Sequence, residues 1–212
     1  MGLPEASREC PACGQPLYGW LELDTPAGPA LLERCENCRL GLAAGLTADD
    51  ASHELLAEAR RRPDGRLELE VANRDSIAAR LGGQHWAALE PGRGLYPTAE
   101  ALRLLAEKSG LEIVQLRSPR RRRALVWMWQ TIVNTFTFNE NFALRVREGA
   151  LHPRGLAERL KYGIDVLVTV LATPLVVLVA IPMELIADMA GSGGVLVAVA
   201  SQSSEEYEKV DQ

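Results

Sequence analysis

Four cysteines stand within the first 38 residues of this 212-residue chain, and none follows them. They form two C-x-x-C pairs, CPAC and CENC, that place Cys10 and Cys13 at one end and Cys35 and Cys38 at the other, with 21 residues between the pairs. Each pair folds into a tight knuckle that aims two sulfurs at one point, and two knuckles complete the tetrahedron that Zn2+ prefers. Four thiolate ligands leave no open coordination position, so the expected ion is structural rather than catalytic. Cysteines crowded into one short segment also fit metal-holding thiols in a reducing compartment better than a disulfide framework. Neither pair is followed by the strand-to-helix context of a redox motif. The stretches LYGWLEL and ALLER read as short strands around a turn at Thr25, Pro26, Ala27, Gly28 and Pro29, which is how a zinc ribbon brings its knuckles together.

Little else in the sequence has the spacing of a reactive site. There is no P-loop, no H-E-x-x-H and no Ser-His-Asp context. His53 is expected as a solvated side chain on a helix. His85, beside Trp86, is an ionisable candidate without an identifiable orienting partner, and a general base needs one.

The elements that position these residues follow from local signals. Thr47 with Asp50 makes a capping box for a helix that the pattern carries as far as Pro63. Asp64 and Gly65 make a turn, after which Leu67, Leu69 and Val71 alternate with Glu68 and Glu70 as a strand with one wet face. SIAARLGG reads as a short helix and QHWAALEPGRGLYP as irregular. Thr98 caps the helix AEALRLLAEKS, Gly110 ends it, and LEIVQL follows as a strand.

Residues 65–116 resemble the C-terminal half of class I S-adenosylmethionine-dependent methyltransferases of the zinc-ribbon-containing type. The match runs through the strand, an Asn-x-x-Ser turn at Asn73 and Ser76, Trp86, the loop ending at Tyr96, the capped helix and the LEIVQL strand. GGVLVAVA at 193–200 corresponds to the family's final antiparallel strand. The chain departs from the pattern at Ala72, where relatives carry Pro, and at Gly94, where they carry His. It departs most where the cofactor half would stand: only 26 residues separate Cys38 from Gly65. The Gly82–Gly83, 92–94 and 191–194 glycine clusters do not join a strand to a helix, as a cofactor-cradling turn must. The resemblance therefore implies an α/β fold: a zinc ribbon followed by a truncated Rossmann-like half-sheet of about three strands, with S-adenosylmethionine not expected. It also implies a remnant cleft near Asn73, Ser76, His85, Trp86 and Tyr96. Where the missing strands would continue, the strand at Leu67 should present an open edge, inviting a homodimer or a protein partner. If a partner chain supplied the cofactor half there, the pair would be a working methyltransferase.

The net charge of −5 disfavours a general nucleic-acid binder, but residues 117–161 hold ten Lys/Arg against three Asp/Glu, a balance of +7 that leaves −12 for the rest. Arg120, Arg121, Arg122 and Arg123 stand just before Trp127 and Trp129. Guanidinium groups beside indoles suit an anionic headgroup surface, and they suit RNA less because the aromatics form one apolar cluster. Residues 166–183, VLVTVLATPLVVLVAIPM, then run for eighteen positions without a charge, just long enough to span a bilayer. Pro174 and Pro182 and the return of the final strand argue against a crossing. The run is expected as a hairpin bent near Pro174 or as helices lying in the interface, with burial in a soluble fold as the alternative.

The expected organisation is a ribbon at 1–45, a linker helix at 46–63, a methyltransferase-like half-domain at 64–118 plus 191–202, a membrane-associating insertion at 119–190 and an acidic tail at 203–212. MGLPEASREC has no apolar run, so no secretory signal is expected, and Ala6 spoils the myristoylation pattern. The expected location is the cytoplasmic face of a membrane, with the protein peripheral or monotopic.

Overall fold

The computed structural model describes residues 8–25, 28–90, 93–119 and 121–202. Along the chain run β1 (Leu17–Thr25), β2 (Gly28–Cys35), β3 (Gly41–Ala43), α1 (Ala48–Ala57), β4 (Ala59–Arg61), β5 (Leu67–Ala72), α2 (Ile77–Gly82), β6 (Leu95–Tyr96), α3 (Ala99–Lys108), β7 (Leu111–Arg117), α4 (Arg122–Asn134), α5 (Phe142–Arg147), α6 (Leu156–Met189) and β8 (Val195–Gln202). They make a mixed α/β fold with two four-stranded sheets, ordered β1-β2-β3-β6 and β4-β5-β8-β7, in which every neighbouring pair is antiparallel. The acidic tail expected at 203–212 lies outside the described residues.

The chain divides into two compact units. The first comprises residues 1–75, 91–119 and 195–212, and contains both sheets with α1 and α3. Its core joins Leu17, Leu40 and Leu42 of the cysteine region to Leu55 of α1, Leu69 of β5, Leu102 and Leu105 of α3 and Leu196 of β8. The expected caps are in place. Thr47 and Asp50 exchange both hydrogen bonds of a capping box, and Thr98 accepts the Ala101 N–H at the start of α3. Asp50, accepting from Thr47, has its carboxyl held below the usual range.

Two expectations about this unit are corrected. The helix from Thr47 ends at Ala57 rather than reaching Pro63. Residues 59–61 instead fold back as β4, with Gly65 at φ 81 in the turn between β4 and β5. The sheet that holds β5 and β7 therefore has four strands rather than three, all paired antiparallel. The edge expected to be open at Leu67 is covered along Leu67–Leu69 by a short strand bearing Arg60 and Arg61, a charged blunting of the kind that discourages intermolecular pairing. β8 enters the sheet between β5 and β7, pairing Ala72 with Val195 on one side and Arg117 with Val197 on the other.

The second unit comprises residues 76–90 and 120–194. It is helical: α2, α4, α5 and α6, with the longest contact between α4 and α6. A polar network holds it. Asn134 donates to the His85 carbonyl at 2.9 Å, Asn141 donates to the Ala87 carbonyl at 3.0 Å, and Thr131 accepts the Ala87 N–H at 3.0 Å. Asn141, at φ 54, takes the left-handed conformation that Asn tolerates. The hairpin expected near Pro174 does not form. α6 is one 34-residue helix that passes through both Pro174 and Pro182, about 51 Å long at 1.5 Å per residue.

Candidate functional site

The two C-x-x-C knuckles meet. Cys10 Sγ lies 3.6 Å from Cys38 Sγ, and Cys13 Sγ lies 3.4 Å from Cys35 Sγ. All four sulfurs lie within 4.8 Å of one another, and Cys10, Cys35 and Cys38 are buried. A tetrahedron with metal–sulfur bonds of about 2.3 Å has edges of about 3.8 Å, so the arrangement fits one ion. None of the cysteines is in a disulfide. The hydrogen bond with Cys38 holds the Cys10 thiol down, at about 5, and the hydrogen bond with Cys10 together with burial pushes Cys38 far upward. Burial likewise raises Cys35.

The knuckles are shaped by backbone bonds and then fixed from outside. Gly14, at φ 73, turns the first, and its N–H donates to the Cys10 carbonyl at 2.8 Å. Arg39, at φ 57, takes the same position in the second and pairs with Asp75. The two ends of α3 hold one knuckle each. The Thr98 hydroxyl donates to the Cys38 carbonyl at 2.7 Å, and Lys108 Nζ donates to the Pro11 carbonyl at 2.7 Å. Arg8 ties the entry strand down by pairing with buried Glu33 at 2.7 Å and donating to the Ala43 carbonyl at 2.9 Å. Thr98 is legible in sequence as a cap. Its second bond, to the knuckle, and the roles of Lys108 and Arg8 have no sequence signal, because the partners are main-chain carbonyls distant along the chain.

The residues of the expected remnant cleft are engaged in local structure. Asn73 accepts the Asp75 N–H at 3.0 Å, an Asx turn, and Ser76 caps α2 by accepting the Ala79 N–H at 3.1 Å. Tyr96 is buried in the ribbon sheet, with its hydroxyl donating to the Arg93 carbonyl and its ring edge-on to Trp20. Trp86 is buried in the helical unit. His85 does have an orienting carboxylate: Glu140 Oε1 lies 2.6 Å from its Nδ1. Glu140 is 55 positions away in the chain, so spacing gives no hint of it. The pair is partly exposed, and among the described residues no nucleophile joins it. His53 is exposed on α1.

The basic and aromatic cluster is also rearranged. Arg120 lies outside the described residues. Arg121 is half-buried at the start of α4, and Arg122 and Arg123 are exposed. Trp127, expected at a membrane boundary, is 3% exposed and packed inside the helical unit, with the Arg123 guanidinium 4.5 Å from its ring centre. Trp129 is half-buried. The physical reason is the face of α4 on which they sit: Trp127, Met128, Thr131 and Asn134 form its buried stripe.

The apolar surface lies elsewhere. Only 17% of the most apolar window of α6 is buried, and the helix is long and apolar enough to cross a membrane. Leu160, Leu167, Leu171, Leu175, Leu178 and Ile186 all point outward, whereas Asp165 and Glu184 are buried on the inner face. Asp165 accepts the backbone N–H groups of Phe138 at 2.8 Å and Asn139 at 3.1 Å, and Glu184 accepts the Gly194 N–H at 3.0 Å. A water-facing helix shows the opposite arrangement, with carboxylates out and leucines in. No protein-family profile, curated protein or solved structure matches this chain.

Proposed function

We propose that the protein is a zinc-stabilised, methyltransferase-like platform that sits on a membrane and binds there rather than catalysing on its own. The observation that carries the reading is the reversed polarity of α6. Its exposed apolar side chains, from Val166 round to Val179, cover an arc of about 220° at 100° per residue. That is far more than the stripe of roughly 100° that one packing partner needs. A bilayer interface accommodates so wide an arc, and the excess of basic residues in 117–161 suits anionic headgroups.

A single helix of this length would be able to cross, but its surroundings oppose it. Five residues separate α6 from β8, which pairs with both β5 and β7, so the chain that leaves the sheet after β7 must return to the same side. α4, with 13 residues, is too short to serve as the outward crossing. The segment joining it to α6 carries Arg145, Arg147 and Arg154, which belong in water or among headgroups. α6 therefore lies in the interface plane. The free cysteines favour the cytoplasmic, reducing side.

Support for the methyltransferase-like ancestry is the order β5-β8-β7, with the last strand of the chain antiparallel to the two beside it. Between Cys38 and Gly65 stand only β3, α1 and β4, which leaves no room for a cofactor half. With β4 on the β5 edge, a partner chain supplying that half is not part of this proposal. The test is flotation of the full chain with vesicles of phosphatidylcholine alone or with phosphatidylglycerol, alongside metal analysis and calorimetry with S-adenosylmethionine. The reading expects stronger binding to the anionic vesicles, one zinc per chain and no heat of cofactor binding. A chain that stays unbound with both vesicles, or that binds the cofactor, would overturn it.

A further inference from the structure

Of the tryptophans expected at a membrane boundary, Trp127 is buried and Trp129 half-buried, yet two other aromatic residues face out. Phe136 is 63% exposed and Phe138 is 62% exposed, both on the turn between α4 and α5. Exposed aromatics on a floppy loop would mean little, but this turn is held firmly. The buried Asp165 carboxylate accepts the backbone N–H groups of Phe138 and Asn139, and also the Asn139 side-chain amide at 2.7 Å. Thr135 donates to the Ile132 carbonyl at 2.7 Å, and Thr137 donates to the Asn139 carbonyl at 3.2 Å. A buried carboxylate spending its oxygens on one turn fixes two bulky apolar side chains in water, an arrangement that costs free energy unless something covers them. Lys161 Nζ lies 5.9 Å from the centre of the Phe138 ring. A notch beside the turn is lined by His152, Glu158, Lys161 and Tyr162, with Glu158 accepting the Arg154 N–H at 2.7 Å.

We infer that this turn is a preset tip that enters an anionic bilayer: Phe136 and Phe138 pass the headgroups, Lys161 pairs with a headgroup phosphate beside them, and Asp165 is the positioning residue. The inference rests on the membrane reading above. A bilayer is favoured over a second copy of the chain because the cation Lys161 lies beside Phe138 and residues 117–161, which include the turn, carry ten Lys/Arg against three Asp/Glu, a charge that suits anionic headgroups and would repel its own copy. Neither phenylalanine carries the unit's packing, so both can be changed without unfolding it.

The test compares three full-length proteins by flotation: wild type, Phe136→Ser/Phe138→Ser and Lys161→Glu. The double variant is expected to lose about tenfold or more in partitioning to both vesicle compositions. Lys161→Glu is expected to lose only the preference for phosphatidylglycerol. Phe138→Trp should show tryptophan quenching by lipids brominated on the acyl chains beyond that of wild type. If wild type floats and the double variant floats equally well, or if Phe138→Trp is not quenched, the tip is wrong and the membrane reading survives through α6 alone. If wild type stays in solution, as a monomer or as a dimer, both fall.

Discussion

Four sulfur atoms and the carbonyls behind them account for the ribbon. Replacing one ligand leaves three thiolates that cannot close the tetrahedron, so Cys13→Ser is expected to drop zinc from one equivalent per chain to a small fraction of that, measured by metal analysis after dialysis. Because β1 and β2 close over the knuckles, the same variant should lose the cooperative part of its thermal unfolding. Thr98→Val is subtler. It removes a helix cap and the donor to the Cys38 carbonyl while keeping the side chain's shape. The expected result is about 1–2 kcal/mol of lost stability and roughly tenfold weaker metal binding in a chelator competition, because groups that orient a ligand tune its affinity. A variant with unchanged zinc affinity would show that α3 supports the ribbon only as packing.

α6 tests how a proline behaves in an apolar setting. Pro174 lacks an N–H and crowds the carbonyl one turn back, yet the helix continues, with the Thr173 hydroxyl donating to the Thr169 carbonyl beside it. In water such a site tends to break. If, as proposed, the apolar outward face of α6 lies in a bilayer, an opened helix would expose backbone groups with nothing to satisfy them. Pro174→Ala is therefore expected to stabilise the helical unit, by up to about 3 kcal/mol, read as a higher Tm in mild detergent. A helix that worked as a bent hairpin would instead lose vesicle binding on this change. The reach of the sequence follows the same logic. Thr47, Thr98, Gly65 and Gly110 announced their turns and caps because each acts on backbone within a few residues of itself. β3, β4 and β6 are three, three and two residues long, too short for an alternating pattern to mark them, and β6 pairs with β3 more than fifty positions back. The four cysteines are legible as a cluster that could hold a metal ion because spacing alone fixes a knuckle. Trp127 was misread because composition does not say which face of α4 turns inward. Phe136 and Phe138 carry no sequence signal because the carboxylate that holds their turn, Asp165, lies 27 positions beyond Phe138.

At the scale of the molecule the account reduces to one constraint: β5, β7 and β8 pair in one sheet, and α6 stands between β7 and β8 in the chain. A helix in the interface plane satisfies that constraint, and a crossing helix does not. The direct measurement is protease access in sealed vesicles, with one cleavage site placed between Gly149 and Leu151, ahead of α6, and another beyond Gln202, after β8. The account predicts that protease added outside cuts both sites or neither in any one vesicle population. Cleavage of one site with protection of the other would put the two ends of α6 on opposite faces, and would contradict it.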